Sequence, residues 1–185
     1  MIPRLNIRNR PVLGQAAARQ APFDDPGRAV DNPETENQTM TTYDPVDFPA
    51  TLDRLADIRA LVEGWCRWSG APPEDCQAVV LAVDEACTNV IEHGYAGVDG
   101  GVVRLRCEVA DGEVRVTVRD TGRPFDPDDA PPPDLVSGWE DRPIGGLGWH
   151  LIRGMVDDVR YRADETGNEL TLVKRLTREP TTGAT

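Results

Sequence analysis

Ala82-Val83-Asp84-Glu85-Ala86-Cys87-Thr88-Asn89-Val90-Ile91-Glu92-His93 is the stretch on which the fold turns. On an ideal helix Glu85, Asn89 and His93 fall one turn plus about 40° apart, and Glu92 shares their sector. Val79, Val83, Ala86 and Val90 make an adjacent apolar stripe. The segment therefore reads as a helix that buries one flank and holds a carboxylate and an amide on a rigid wall. Two more segments follow it at intervals of about 30 and about 25 residues. Asp120-Thr121-Gly122-Arg123-Pro124-Phe125-Asp126-Pro127 ends a strand with a carboxylate and a glycine. Gly145-Gly146-Leu147-Gly148 is a glycine-rich turn that opens a helix.

Working outward, Pro72-Pro73-Glu74-Asp75 opens this central helix, with acidic residues where the dipole favours them, and Gly94 ends it after His93. Before it, Leu52, Leu55, Ile58, Leu61, Val62, Trp65 and Cys66 recur at threes and fours. They predict a first helix from Thr51, which can cap it, to Ser69, with Gly70 as the stop. Folding is expected to begin near Tyr43, with Val46-Asp47-Phe48-Pro49-Ala50 as an edge strand. After it, Val103, Leu105, Cys107 and Val109 alternate with polar residues, as do Val114, Val116 and Val118. Asp111-Gly112 between the two runs is a hairpin signal. A helix from Gly148, a strand near Val159–Tyr161, a turn at Thr166-Gly167-Asn168 and a strand over Leu170–Arg175 complete the pattern. The fold class is α+β: a two-layer sandwich whose mixed or antiparallel sheet is covered on one face by helices.

Residues 1–42 carry no sustained period and read as a disordered extension, 43–177 as one domain, and 178–185 as a tail. Met40, just before the first patterned segment, is a candidate initiator. Residues 124–146 hold six prolines and no apolar period, which suits a functional flap better than a plain connector. The extension has five basic and five acidic residues, so the net charge of −12 lies on the remainder. An acidic body argues against direct nucleic-acid or anionic-membrane binding and suits a basic partner surface. No run of 18 apolar residues exists, and the N-terminus lacks a secretory apolar core, so a cytoplasmic location is expected. Cys66, Cys76, Cys87 and Cys107 show no Cys-x-x-Cys spacing and read as reduced, core-filling thiols. Only His93 and His150 are available to complete a zinc set.

The chemistry of the three segments converges. An amide oxygen such as that of Asn89 is a hard, neutral ligand suited to Mg²⁺ beside phosphates. Glu85, one turn away, can orient or deprotonate a hydroxyl that attacks a terminal phosphate. A buried Asp120 only accepts, which pairs it with an exocyclic amine such as that of adenine, and Gly122 permits close approach. The N–H groups opening the helix after Gly145-Gly146-Leu147-Gly148 can receive phosphate oxygens. Taken singly, the three segments equally describe a solvated helix face, an ordinary strand-ending turn and a glycine loop. Neither a Walker sequence nor a Rossmann fingerprint is present.

Glu85-Ala86-Cys87-Thr88-Asn89 with Glu92-His93, then Asp120-Thr121-Gly122 with Phe125-Asp126-Pro127, then Gly145-Gly146-Leu147-Gly148 closely resemble the N, G1 and G2 boxes of the Bergerat-fold (GHKL) ATPases. Within that superfamily the chain looks most like the anti-sigma-factor serine/threonine kinases of the partner-switching type, across about residues 45–176. The resemblance implies that Glu85 is the general base or orienting carboxylate and Asn89 the Mg²⁺ ligand. It implies that Asp120 reads adenine beside Gly122, and that Gly145, Gly146, Leu147 and Gly148 contact phosphates. Residues 125–145 would be the ATP lid, and Thr171 would help bind adenine through water. His93 is assigned a packing or hydrogen-bonding role, and Trp149-His150 would shape the lid side of the pocket.

The function so implied uses ATP and Mg²⁺ to phosphorylate an anti-anti-sigma (STAS-type) protein, and otherwise sequesters a sigma factor. A homodimer is expected, with Leu61, Trp65 and Trp68 as candidate contact residues. The alternative is a nucleotide-binding module that sequesters its partner without phosphoryl transfer. A detached histidine-kinase catalytic domain is disfavoured, because the first helix contains no histidine.

Overall fold

Val103, Leu105 and Cys107 alternate with Arg104 and Arg106 along one strand, and the three apolar side chains are fully buried. Val114, Val116 and Val118 on the next strand do the same. That shared apolar face organises the molecule. The computed structural model describes residues 40–124 and 147–177. In chain order these form β1 (Thr41–Thr42), β2 (Val46–Pro49), α1 (Leu55–Trp68), α2 (Pro73–Asn89), β3 (Val102–Ala110), β4 (Glu113–Asp120), α3 (Leu147–Met155), β5 (Asp158–Asp164) and β6 (Gly167–Arg175). The strands run in the order β1-β3-β4-β6-β5, with β2 also on β3, and every pairing is antiparallel.

The three helices cover one face, and the core lies between the layers. Ile58, Val62 and Trp65 of α1 and Val79, Ala82, Val83 and Ala86 of α2 meet Leu105, Val116, Leu170 and Leu172 there. Burying one such side chain stabilises by about 1.5–3 kcal/mol. The opposite face is wet and not uniformly acidic. Arg104, Arg106, Arg115, Arg119, Arg160 and Arg162 lie on it, each ion-paired with Asp47, Glu108, Glu113, Asp158 or Glu169. Exposed pairs of this kind contribute roughly 0–1 kcal/mol each, so the apolar face, not the ladder of charges, holds the sheet to the helices.

Local signals set most element ends. Asp111 and Gly112 have φ of 54° and 76°, the two positive values of a tight hairpin turn. Gly70 has φ of 73°, with Ala71 N–H donating to Cys66 O and Gly70 N–H to Arg67 O, a Schellman stop for α1. Pro73 occupies the first turn of α2, where its missing N–H costs nothing. At the start of α1 the outcome differs from expectation. Thr51 makes no side-chain cap bond; the chain enters through a 3₁₀ turn over Leu52–Arg54, held by Arg54 N–H to Thr51 O. Thr41–Thr42 pair with β3 ahead of Tyr43, since backbone pairing at an edge needs no apolar pattern.

The cysteines are free, and Cys66, Cys87 and Cys107 are buried. Burial pushes the thiols of Cys87 and Cys107 well up, which keeps them protonated and unreactive. Of the candidate contact aromatics, Trp65 is wholly buried and Trp68 is exposed.

At the far end of α2, buried Asp75 accepts from Thr177 N–H at 2.7 Å and faces Lys174 Nζ at 3.7 Å, which also faces Asp157. This ties the first turn of α2 to the end of β6. Asp75→Ala is expected to lower the unfolding free energy by about 1–2 kcal/mol, because the Thr177 N–H loses its acceptor and the half-buried Lys174 is left with Asp157 alone. Urea unfolding measures it, and a loss under about 0.5 kcal/mol would show the tie to be incidental.

Candidate functional site

The last turn of the central helix widens. After Asn89 the chain takes a π turn over Val90–Gly94, with Tyr95 N–H donating to Val90 O. Such turns re-aim a helix end, and here it delivers Gly94 to the end of β4. Arg123 N–H donates to Gly94 O at 2.8 Å. A Cβ on Gly122 would stand 2.8 Å from the carbonyl of Gly94 and 3.1 Å from Asp120 Oδ1, so only glycine fits between them. The buried Tyr95 completes the junction: its hydroxyl receives Thr121 N–H at 2.9 Å and donates to Val102 O at 3.1 Å.

Asp120 ends β4 and is 9% exposed. Its Oδ1 accepts from Gly122 N–H at 2.8 Å and from Asn168 Nδ2 at 2.9 Å. Beside it opens a narrow cleft, part of it open to solvent. Asn89 and Val90 form one wall, Trp149 and Ile152 another, and Asp120 and Asn168 present the polar groups. A mostly apolar slot with a few convergent polar atoms suits a flat heterocycle.

Glu85 sits one turn before Asn89, at the edge of this cleft. A Cβ on Gly148 would lie 2.7 Å from Glu85 Oε2 and 3.6 Å from Asn89 Nδ2. The bare backbone of α3's first turn thus passes directly over the carboxylate and the amide. Its N-terminal N–H groups lie at the positive end of the helix dipole, a favourable place for an anion. Among the described residues no cluster of three His, Cys, Asp or Glu side chains could cage a metal. A cation here would rest on Asn89 and on oxygens brought by its ligand.

The structure thus brings together Glu85, Asn89, Asp120, Gly122 and Gly148, with Leu147 opening α3. Gly145, Gly146 and the expected lid lie outside the described residues. Thr171 is not brought to the cleft. Along β6 Asn168, Leu170 and Leu172 are buried in alternation, with Val173 after them, and Thr171 falls in the opposite phase. It pairs with Thr117 and Arg160 on the arginine-bearing face, beyond the sheet from Asp120. The residue reasoning missed is Asn168. Its signal was available, as a polar residue in phase with Leu170 and Leu172. His93 is exposed, not packed, because the π turn rotates it away from the line of Glu85 and Asn89. Trp149 is buried in the cleft wall.

Comparison with known proteins agrees with this geometry. Residues 48–174 match the model of the histidine kinase-like ATPase domain. A serine-protein kinase RsbW of Bacillus pumilus is 30% identical over 149 residues, spanning 77% of this chain and 91% of that protein. The serine-protein kinase RsbW of Halalkalibacterium halodurans is 31% identical over 154 residues, 81% of this chain and 88% of that protein. Among solved structures, the RsbU and RsbW domains of Rv1364c from Mycobacterium tuberculosis superpose with a TM-score of 0.53 at 26% identity, over 74% of this chain and 33% of that one. No described helix is long and apolar enough to cross a membrane. With the carboxylate and amide of α2, the aspartate of β4 and the opening of α3 assembled as they are, the chain belongs to the histidine kinase-like ATPase domain family, among the RsbW-type serine-protein kinases.

Proposed function

We propose that this protein is an ATP- and Mg²⁺-dependent serine/threonine kinase that phosphorylates an anti-anti-sigma (STAS-type) protein and sequesters a sigma factor when that substrate is not engaging it. The observation that carries the reading is the seating of Gly148 on Glu85 and Asn89, beside a cleft whose buried polar end is Asp120. A base for the attacking hydroxyl, an oxygen for the metal and donors for phosphate lie on adjoining elements.

In this reading Asp120 accepts the exocyclic amine of adenine, and Gly122 leaves room for the ring. The apolar walls at Val90 and Ile152 hold its faces. Asn89 gives one neutral oxygen to Mg²⁺, the remainder coming from phosphates and water. Backbone N–H groups of Leu147 and Gly148 receive phosphate oxygens, and by sequence Gly145 and Gly146 join them. Bound ATP supplies the transferred phosphoryl group. Glu85 orients the incoming serine or threonine hydroxyl and takes its proton as the oxygen–phosphorus bond forms and ADP departs. Thr171 has no part in this arrangement. Homodimerisation, with Trp68 as the exposed aromatic, belongs to the same reading.

Two measurements test it together. Calorimetric titration of ATP–Mg²⁺ should show binding that weakens by about 10- to 100-fold in each of Asn89→Ala and Asp120→Ala, the first losing a metal ligand and the second a hydrogen bond to a charged group. Label from the γ-phosphate should then appear on a STAS-type protein. Binding with sigma-factor capture but no labelled protein would replace the kinase with a pure sequestering module. Absence of any ATP binding would sink both.

A further inference from the structure

Asn168 stands directly opposite Asp120 in the β4–β6 register and is 6% exposed. Its Nδ2 donates to Asp120 Oδ1 at 2.9 Å and to Gly122 O at 3.1 Å. The Tyr161 hydroxyl donates to Asn168 Oδ1 at 3.1 Å. Both amide protons therefore meet oxygens and the amide carbonyl meets a hydroxyl. The reverse orientation would set the carbonyl against two acceptors, so the network itself fixes which way the amide faces. With Gly122 N–H also on Oδ1, two donors converge on one oxygen of Asp120. No bond from a described residue falls on the other, and Asp120 lines the cleft.

We infer that Asn168, held in place by Tyr161, is a positioning residue that locks the Asp120 carboxylate with Oδ2 toward the base, and so sets the cleft's preference for a 6-aminopurine over a 6-oxopurine nucleotide. The inference rests on the nucleotide reading of the cleft given above. A carboxylate's terminal torsion is broad, so an untethered aspartate turns easily. Turning lets it follow the N1–H of a 6-oxopurine as readily as the amine of adenine. Clamped at Oδ1, Asp120 offers an acceptor at one place, where adenine presents N6–H and a 6-oxopurine presents an oxygen. Two acceptors brought together without a proton between them repel, and leaving them unpaired on burial costs more than a missing contact. The clamp spans two strands and comes from the last one, whereas the reading group sits on β4.

The test is the ratio of dissociation constants for inosine triphosphate and ATP, measured by calorimetry with Mg²⁺ on the full chain. Asn168→Leu keeps much of the volume but removes both donors; Tyr161→Phe leaves Asn168 in place and removes the hydroxyl that donates to its Oδ1. Asn168→Leu should weaken ATP by about 10-fold and inosine triphosphate by no more than about 2-fold, so that the ratio falls several-fold. Tyr161→Phe should lower it in the same direction by about 3-fold. Equal losses for both nucleotides, leaving the ratio unchanged, would overturn the inference and make Asn168 merely structural. If Asn168→Leu does not fold, the ratio in Tyr161→Phe decides alone. Wild-type protein that binds neither nucleotide overturns the underlying reading, an outcome distinct from a retained but insensitive ratio.

Discussion

Glu85→Gln protein is expected to bind ATP within about threefold of wild type while transferring phosphate to its protein substrate roughly 10³ times more slowly. Glu85 lies on the rigid helix α2, partly buried, one turn before Asn89, with the backbone of Gly148 packed over its Oε2. Glutamine preserves the shape that meets Gly148, so the seat of α3 and the cleft wall survive. What is lost is the ability to accept a proton from an attacking hydroxyl, and a well-placed general base contributes about 10²–10⁴ in rate. Nucleotide affinity is carried elsewhere, by Asp120, Asn89 and the first turn of α3. The split between chemistry and binding is therefore the informative readout. Single-turnover transfer from labelled ATP, beside a calorimetric dissociation constant, measures both. A transfer rate within tenfold of wild type would remove Glu85 from the chemistry.

Gly167→Ala is expected to destabilise the domain by about 3 kcal/mol or more and to weaken nucleotide binding in the protein that still folds. Gly167 has φ of 124°, a region that L side chains rarely adopt. A Cβ there would also press into the carbonyl oxygen of Asp120, with Asp120 C and Thr121 Cγ2 each 3.3 Å away. Those neighbours are mostly backbone and cannot swing aside as a flexible side chain would. Relief requires β6 to part from β4 at Asp120, the residue on which base recognition depends. Gly70→Ala is the natural control: φ is 73°, but a Cβ meets open space, so only the conformational cost of about 1 kcal/mol applies. Equal urea midpoints for the two variants would show that the contact with Asp120 contributes nothing.

Most of the fold was legible in the amino-acid sequence. Alternation at Val103–Val109 and Val114–Val118, the positive-φ pair at Asp111-Gly112, the Gly70 stop and Pro73 at a helix start all act over a few residues. Their physics is local, and the elements formed where the patterns placed them. The candidate site was legible where one short segment holds its own geometry, as Glu85 and Asn89 do on α2. It was illegible where geometry came from elsewhere. The π turn at Val90–Gly94 breaks the ideal helix that would have kept His93 in line with Asn89. Thr171 was drawn from a family pattern, but strand parity sends it to the solvent face. Thr51 had the chemistry of a cap and the wrong entry angle.

By itself the amino-acid sequence determined the helices, the strands, the hairpin and the order of the three boxes, because hydrophobic period, glycine freedom and proline restraint operate between near neighbours. Only the tertiary structure decided what the site is made of. The β4–β6 register sets Asn168 across from Asp120, 48 residues away, and Tyr161 behind it. The packing of α3 on α2 lays Gly148 on Glu85. Those juxtapositions follow from close packing and long-range strand pairing, which depend on every layer at once and leave no periodic trace in the segments they join.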